Sequence, residues 1–516
     1  MIDTRYPEYI LAKVETVGML KKCMVVNCTK MGAADKPVFG LTRVCKCLSK
    51  PFTGNPRRLG LSVAPGLFLN IYLFRYPHSP KGCPLFLRSF NSVFTAAAAF
   101  LLLCIFPIPA YASDTGNIDL SGSISSLTSI IDDNLFDTSD QLLFMNVLRL
   151  IADIKPSDRV SCEIHLVQDL TLSTADSPLG AALGGMPVAS DRYRAFDLSG
   201  NTINWNNITG GCSLDRLNAK FRLPHADITI GRQAITFGKA YFWNPLDIFL
   251  PFNAQQIERD YKAGVDAVRV DIPLGNFSGI NIVGALGREI GYDGAYINGN
   301  KSFDADWYAS SLLARYFTTL KGWDYAIQGG KVYGGYQLGG GFVGEVNKYQ
   351  LRGEAAYLSA KDSPELPAPF TGSGDLIKDN LVAVIGGGRL FPNTLDIEVE
   401  YLYNGAADPH NPDISLIRLL NGATLHLGRH IAGATATYQF TPLLTGQFVC
   451  IHSFSDSSTQ IRPVVTYSAG ENIDFQLGAI FNFGAHPNVD LHNSTFLNSE
   501  FGSLPGFYFI EYKAWF

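Results

Sequence analysis

Hydrophobic and polar residues alternate along most of the chain from Ile118 onward. The clearest case is Thr394–Tyr403, where apolar residues alternate with Asp396, Glu398 and Glu400. The same two-residue period recurs in four further segments, at 160–166, 216–223, 268–272 and 508–516. A period of two places one set of side chains on each face of a β-strand. The pattern therefore predicts an all-β body of many half-buried strands, although a water-soluble sandwich alternates in the same way.

The lengths of the connections separate these two architectures. Short turns recur near Lys155–Asp158, Pro224–Ala226, Pro273–Asn276, Lys321–Gly322, Asn347–Tyr349, Pro392–Asn393, Thr441–Leu443 and Gly470–Asn472. Longer polar links lie between them, at 171–213, 237–263, 288–306, 359–379, 405–425 and 485–505. Tight periplasmic turns that alternate with larger outer loops are typical of an outer-membrane β-barrel.

Counting the turns predicts the number of strands. Eight short turns connect sixteen strands, and a first and a last strand raise the number to 18, with 16 as the alternative. Backbone groups that face lipid must all be hydrogen-bonded, so such strands have to close on themselves. The prediction is a closed antiparallel transmembrane β-barrel with both of its ends on the periplasmic side.

The last residues of the chain carry a more specific pattern. Tyr508, Ile510, Tyr512, Ala514 and Phe516 occupy alternate positions, and charged residues lie between them. This segment resembles the closing strand of a bacterial outer-membrane β-barrel, which ends on an aromatic residue. The resemblance covers about ten residues. It implies that the barrel-assembly machinery recognises the chain through the strand that ends at Phe516.

The N-terminal part has the features of an export signal. Arg88 precedes the apolar run Val93–Phe106, and Ala110-Tyr111-Ala112 follows. A positive flank, a short apolar core and small residues before the cleavage site are typical of a signal peptide. We therefore predict a signal peptide at 88–112 that is cleaved after Ala112, and an outer-membrane barrel at 113–516. Residues 1–87 are interpreted as a poorly structured upstream extension, with a cytoplasmic or membrane-anchored extra domain as the alternative.

Charge is distributed unevenly between these parts. Residues 1–112 carry 14 Lys and Arg against 4 Asp and Glu, and the remainder carries 27 against 42. An acidic body argues against nucleic-acid binding. A basic leader on an acidic body is consistent with export to the bacterial outer membrane.

Cysteine and histidine patterns predict neither a cofactor nor a metal site. Nine cysteines occur without a CxxC pair, and nine histidines occur without an HExxH motif. Oxygen-bearing residues at 408–413 raise the possibility of Ca²⁺ but lack the full calcium-loop pattern, so we interpret them as a solvated outer loop. Gly339–Gly341 is interpreted as a strand bend or a tight outer link. We predict that the chain is not an enzyme.

The densest group of charged and aromatic residues runs from Ile230 to Gly275. It contains Arg232-Gln233, Gly238 and Asn244-Pro245-Leu246-Asp247, and it resembles a stretch of porin-like Gram-negative outer-membrane barrels. The body as a whole resembles alginate-export-type and substrate-specific porins. The loop is predicted to fold into the lumen as a constriction. The candidate residues are Arg232, Asp247, Glu258, Arg259, Asp260, Lys262, Arg269 and Asp271. The alternative is that these residues pair with one another and brace the wall.

These features predict a porin-like channel for passive diffusion of small hydrophilic solutes through a charged lumen. Its partners would be outer-membrane lipid and the solute itself, with no cofactor. The alternative is a structural or partner-binding barrel, such as an export component or a sheath around an electron carrier. A barrel hydrolase that uses His165 or His452, each of which has a serine nearby in sequence, is a weaker alternative. The solute and the oligomeric state are left open.

Overall fold

The computed structural model describes residues 22–30, 57–64, 67–75, 117–132, 140–174, 192–205, 207–249, 260–288, 305–367, 370, 372–408, 410–488 and 496–516. The chain divides into two compact units, Met1–Phe94 and Thr95–Phe516. The predicted signal peptide at 88–112 lies outside the described residues. The domain boundaries at 87 and 112 therefore stay predictions.

The first unit contains one small antiparallel sheet. Its strands are β1 (Lys22–Lys30), β2 (Arg57–Ala64) and β3 (Leu67–Arg75). The central strand β3 pairs with both of the others, so the order is β1-β3-β2. This sheet lies within the range that the sequence assigned to an upstream extension.

The second unit is a closed β-barrel in which each wall strand pairs with the next, and β22 pairs with β4. Its strands are β4 (Ile118–Asp132), β5 (Gln141–Ser157), β6 (Val160–Ser173), β7 (Ser199–Trp205), β8 (Ile208–Arg222), β9 (Asp227–Gln233), β10 (Val265–Pro273), β11 (Ser278–Gly287), β12 (Asp306–Leu320), β13 (Trp323–Val332), β14 (Gly335–Val346), β15 (Tyr349–Ala360), β16 (Asn380–Leu390), β17 (Asp396–Asn404), β18 (His430–Thr441), β19 (Leu444–Ser453), β20 (Ser458–Gly470), β21 (Ile473–Phe483) and β22 (Gly506–Trp515).

The ring has 18 strands, because β6 pairs directly with β8 and the short β7 is an additional strand beside β8. The predicted number is confirmed, and the alternative of 16 is wrong. All eight predicted short turns connect consecutive strands at one end of the barrel. Three of the connections contain non-glycine residues with positive φ, at Lys321, at Asn347 and Lys348, and at Thr394, as tight hairpin turns require.

The seam that closes the ring lies at the chain terminus. Gly122 on β4 exchanges two backbone hydrogen bonds with Phe516, at 2.7 and 3.0 Å. A Cβ atom on Gly122 would lie 2.5 Å from the Phe516 ring, so glycine allows this close approach. The terminal aromatic residue therefore belongs to the wall itself.

The two faces of the wall differ as the alternation predicts. On β17, Val399 and Tyr401 are exposed, whereas Glu398 and Glu400 are buried. On β22, Tyr508 and Ile510 are exposed, and Glu511 and Lys513 are buried. Since the polar residues are the buried ones, the apolar face points outward and the polar face points into the barrel. The predicted assignment of faces on these two strands is confirmed.

Large hydrophobic side chains cover the outer face. Aliphatic residues such as Ile327, Ile385 and Leu477 are each more than half exposed. Exposed tyrosines and a phenylalanine lie towards both ends of the strands, at Tyr325, Tyr349 and Tyr467 on the short-turn side and at Tyr336, Tyr357 and Phe483 on the opposite side. Among the described residues, no helix is both long and apolar enough to cross a membrane.

The links at the other end of the barrel pack against one another. The link from β17 to β18 contains helix α1 (Pro412–Leu420), capped by the side chain of Asn411. Leu366, Leu376, Ile377 and Ile414 form a small apolar core between links. Asp413 accepts the backbone N–H groups of Phe496 and Leu497, at 2.6 and 2.8 Å. The interpretation of 408–413 as a solvated loop is therefore wrong for Asp413, which is buried.

Candidate functional site

The chain leaves the barrel wall after Gln233 and re-enters it at Val265. We call residues 234–264 the inward loop, and its described parts are 234–249 and 260–264. Because β9 is only seven residues long, another segment completes the wall beside it. Residues 192–198 do so, since the N–H of Asp266 donates to the carbonyl of Tyr193 at 2.8 Å. The wall therefore stays closed while the inward loop is free to enter the lumen.

Two carboxylates on the inner wall hold the outgoing limb of the inward loop. Glu354 on β15 accepts the backbone N–H groups of Lys239, Ala240 at 3.1 Å and Leu246 at 3.3 Å. Glu400 on β17 accepts the N–H groups of Tyr241 at 2.5 Å and Phe242 at 2.8 Å. Backbone N–H groups buried away from water need acceptors, and charged acceptors bind them most strongly.

Arg352 on β15 balances these carboxylates. Its guanidinium pairs with Glu398 and, at 2.9 Å, with Glu400. All three side chains are nearly or fully buried. The cluster therefore fixes Glu400 in the position from which it binds the inward loop.

Glycines on the wall make room for the side chains of the inward loop. A Cβ on Gly339 would lie 2.7 Å from Leu246, and one on Gly341 would lie 3.2 Å from it. Gln328 on β13 donates to the Leu246 carbonyl at 2.8 Å. Gly339–Gly341 therefore lies within β14 and receives a leucine, so the interpretation as a tight outer link is wrong.

The aromatic tip of the inward loop packs on the opposite wall. Phe242 and Trp243 are each 1% exposed. A Cβ on Gly433 of β18 would lie 3.0 Å from both rings. Counted around the ring of 18, β18 is nine strands from β9, which makes it the strand directly opposite. The inward loop thus crosses the lumen.

Trp243 also reaches a buried histidine. Its indole N–H donates to Nε2 of His426 at 2.7 Å. The other ring nitrogen of His426 pairs with Glu500, which also accepts the N–H of Gly428 at 3.0 Å. His426 and Glu500 belong to the links β17–β18 and β21–β22, so the tip is tied to two outer links as well as to the wall.

The returning limb is held by charged groups. Lys262 pairs with Asp247 at 2.5 Å inside the inward loop. Burial raises the pKa of Asp247 and lowers the pKa of Lys262, and the attraction between the two charges offsets part of each shift. Asp260 pairs with Lys513 on β22 at 3.0 Å. Four strands lie between β22 and β9 on the side away from β10, so this limb binds a third part of the wall.

Tyr261 lies in a basic and polar niche of the wall. Its hydroxyl lies 2.9 Å from Nδ1 of His165, and the Arg149 guanidinium stacks on its ring at 4.3 Å. Burial raises the pKa of this phenol far above its usual range. Arg216 donates to the carbonyl of the next residue, Lys262, at 3.0 Å. The side chain of Tyr261 and the backbone of Lys262 are therefore both held by the wall.

Three of the cavities along the inner wall are bordered by described residues of the inward loop. One of about 390 Å³ lies beside β5–β10, and seven of its lining residues are charged. A second of about 440 Å³ is lined by Phe237, Phe277, Phe317 and Arg315. A third of about 250 Å³ lies between the inward loop and strands β18–β22. The three differ in chemistry, and the inward loop contributes residues to each.

The predicted site residues fall into two groups in the structure. Asp247, Asp260 and Lys262 belong to the inward loop and pair as described above, whereas Glu258 and Arg259 lie outside the described residues. The remaining three are wall residues. Arg232 on β9 is buried and pairs with Asp266 at 2.7 Å. Arg269 and Asp271 on β10 pair at 2.8 Å and line the first cavity.

Arg232 has a structural partner set that explains its burial. It donates to the carbonyls of Leu214 and Phe196, at 3.0 and 2.6 Å, as well as to Asp266. The N–H of Phe196 in turn donates to Asp266 at 2.9 Å. The ion pair of Arg232 and Asp266 therefore attaches segment 192–198 to the wall near the end of β9.

The residues that hold the inward loop were missed by sequence reasoning. The residues in question lie 82 to 191 positions from their partners in the inward loop, and they are Glu354, Glu400, Gln328, Gly433 and His426. One signal was present, since the alternation places Glu398 and Glu400 together on the polar face of their strand. A buried carboxylate needs hydrogen-bond donors, but alternation along a strand does not identify the residues that supply them.

The histidines considered for hydrolysis have other partners. His165 places Nε2 2.9 Å from Glu163 and Nδ1 2.9 Å from Tyr261, so both nitrogens are engaged away from Ser161. His452 contacts the Thr459 hydroxyl at 2.9 Å. Within the described ranges, no group of three or more His, Cys, Asp or Glu residues is arranged to hold a metal ion, and Cys162, Cys212 and Cys450 are free thiols.

No protein-family model and no curated protein matches the chain. Among solved structures, the outer membrane protein opdK from Pseudomonas aeruginosa is similar, with a TM-score of 0.44 and 10% identity over 78% of this chain and 99% of that one. OccAB4 of Acinetobacter baumannii has a TM-score of 0.45 and 9% identity over 78% and 98%. OmpF of Salmonella typhi, in complex with daunomycin, is similar with a TM-score of 0.41 and 10% identity, over 78% of this chain and 99% of that one. The chain is thus similar, at low identity, to outer-membrane proteins of known structure.

Proposed function

We propose that the chain forms an outer-membrane channel through which small hydrophilic solutes diffuse passively. The observation that carries the proposal is a closed wall of 18 strands whose exposed face is apolar and whose inner face is polar. A band of apolar residues flanked by aromatic girdles suits a barrel in lipid. A polar interior around open cavities suits water-filled passage.

The inward loop is the proposed constriction. It crosses the lumen to the strand opposite its origin, so every solute has to pass beside it. We propose that Asp247, Asp260 and Lys262, with Arg269 and Asp271 on the wall, set the local field. Glu258 and Arg259 complete the proposed set, and Arg232 holds the adjacent wall. Close charges of mixed sign act on ions at short range.

Single-channel conductance tests the channel proposal. The protein would be purified in detergent from outer membranes and added to planar bilayers in KCl. We expect discrete conductance steps. A protein that inserts, as shown by protease protection, and gives no discrete steps would overturn the proposal.

Ion selectivity tests the constriction separately. Asp260→Asn removes one negative charge and one of the carboxylates that pair with Lys513, so the reversal potential in a KCl gradient should shift towards anion selectivity. Glu471→Gln removes the same charge from an exposed short turn and serves as the control. Equal reversal potentials for the two variants would contradict the assignment of the constriction.

Export and assembly form the second half of the proposal. We propose cleavage after Ala112 and insertion by the barrel-assembly machinery through the strand that ends at Phe516. Cell fractionation with N-terminal sequencing should find the protein in the outer membrane, beginning at Ser113. Deletion of Phe516 removes the backbone bonds to Gly122 and should lower the amount of inserted barrel. Recovery from the soluble fraction would contradict both parts.

A structural or partner-binding barrel is the second candidate. The observation that favours it is the number of bonds that hold the inward loop, with Phe242 and Trp243 fully buried at its tip. A rigid loop across the lumen also suits a barrel that presents a surface to a partner. Mild-detergent purification would then yield a stable complex, whereas a chain recovered alone with discrete conductance supports the channel.

A further inference from the structure

The smallest of the three cavities has a lining unlike the others. Five of its lining residues are uncharged hydrogen-bonding residues on the inner wall, namely Thr437, Thr445, Gln447, Thr466 and Gln476. The cavity beside β5–β10 has seven charged residues instead. The inward loop borders both cavities, since it contributes Ala234 to one and Tyr241, Phe242 and Asp260 to the other.

Strand register aligns three of these residues into one row. Thr445 on β19 lies opposite Thr466 on β20, and Thr466 lies opposite Gln476 on β21. All three are on the inner face, because their neighbours Phe448, Val465, Tyr467 and Leu477 are exposed outside. Directly opposed residues stand about 4.5–5.5 Å apart on a sheet. The row therefore presents two hydroxyls and an amide at the spacing of adjacent strands.

The polar side chains of this row are available to hydrogen-bond a solute. In the described part of the chain, no hydrogen bond engages the side chains of Thr445, Thr466 or Gln476, and all three are half-buried. Gln447 makes one long bond of 3.4 Å to Thr437. Hydroxyl and amide groups both donate and accept, so each can replace water around a solute hydroxyl without a preference for charge.

The charged residues that line this cavity already interact with other groups of the protein. Lys513 pairs with Asp260 at 3.0 Å and lies 3.7 Å from Glu511. Arg462 also lines the cavity, but it is 6% exposed and has an interaction partner of its own. An ion that enters would lose hydration without an available counter-charge, and that loss is costly. An uncharged solute with several hydroxyls would exchange water hydrogen bonds for those of the row.

From this lining we infer that the cavity between the inward loop and strands β18–β22 is a binding subsite for small uncharged polyols. The inference rests on the proposed channel and specifies the class of solute that it favours. The volume of about 250 Å³ is below the roughly 300–1,000 Å³ of pockets for drug-sized molecules, so the solute is small. Tyr241 of the inward loop forms the aromatic side of the cavity.

Three polyols that share a six-carbon chain and differ mainly in charge test the inference: sorbitol, gluconate and N-methylglucamine. Liposomes that contain the full chain should swell faster in sorbitol than in either charged analogue. Sorbitol should also reduce single-channel current in a saturable manner. Thr445→Val and Thr466→Val should each weaken that block about fivefold, since each removes one hydrogen-bonding group of near-identical shape.

Thr435→Val is the matched control. Thr435 lies on the inner face of β18, is 2% exposed and does not line the cavity, and its hydroxyl has no hydrogen-bond partner in the structure. This variant should keep the sorbitol block of the unaltered protein. Normal KCl steps with equal block in all four proteins would overturn the subsite and leave the channel standing. Equal swelling in all three polyols would also overturn it, and a lack of any KCl steps would overturn the channel as well.

Discussion

The indole N–H of Trp243 donates to Nε2 of His426 across 2.7 Å, although 183 positions separate the two residues. The bond requires Nε2 to carry no proton, so the proton of the neutral ring lies on Nδ1, which faces Glu500. Both residues are 1% exposed. The contact joins the tip of the inward loop to an outer link in an environment where an unpaired polar group is costly.

Trp243→Phe tests this contact. Phenylalanine keeps most of the apolar contact but leaves Nε2 of His426 buried without a donor. We expect a loss of about 1–3 kcal/mol in the free energy of unfolding. Urea unfolding followed by gel mobility measures it, and single-channel recordings should show more current noise. Trp205→Phe is the control, since Trp205 is 66% exposed. Equal stability of both variants would show that the bond to His426 contributes nothing.

Glu400 allows a sharper test of how the wall holds the inward loop. Glu400→Gln keeps the shape but removes the charge that binds Arg352 and two backbone N–H groups. Removing one partner from a buried pair costs about 3–5 kcal/mol. The same urea experiment should show a loss of that order. Glu345→Gln, at an exposed position on β14, should be close to neutral. A small effect at Glu400 would mean that water already solvates the cluster.

Gly433 tests the packing of the aromatic tip. A Cβ atom added to Gly433 would lie 3.0–3.1 Å from ring atoms of Phe242 and Trp243, so Gly433→Val should push the tip away from the wall. Overpacking costs about 1–3 kcal/mol. We also expect a changed open-channel current, because the inward loop moves.

Gly284→Val is the matched variant on the outer face, where an added Cβ would meet only Leu312 at 3.8 Å. It should leave the current unchanged. Identical currents for both valine variants would show that the tip does not influence passage.

The strand faces and the number of strands could be predicted because both are local properties. Alternation on β17 depends on neighbouring residues only, and each short turn carries its own Pro, Gly or Asn signal. Each short turn joins two strands that are consecutive in sequence. The number of turns therefore gave the number of strands. Lys348 shows the limit of this rule, since a lysine with φ of 68° carries no such signal.

Helix α1 was missed although its signals were present. Asn411 caps the helix, Pro412 begins it and Asp413 lies in its first turn, which together form a standard N-terminal pattern. The segment was interpreted as a solvated loop because its oxygens were considered as metal ligands. The wall residues that bind the inward loop, unlike helix α1, have no local sequence signal for the contacts that they make. Glu354 meets Leu246 only because the barrel closes, and no local pattern encodes that contact.

The outer face provides the last test, which separates a barrel in lipid from a barrel in water. Ile385 lies at the middle of β16 and is 62% exposed, and Leu381 lies near one end of the same strand, on the same face, and is 42% exposed. An arginine on the lipid face costs about 2–4 kcal/mol at the bilayer midplane and about 0–1 kcal/mol near the interface. Ile385→Arg should therefore lose far more stability in lipid vesicles than Leu381→Arg, as measured by urea unfolding. In a water-soluble barrel both substitutions would be surface changes within about 0.5 kcal/mol. Equal, small effects would therefore contradict insertion of this wall in a membrane.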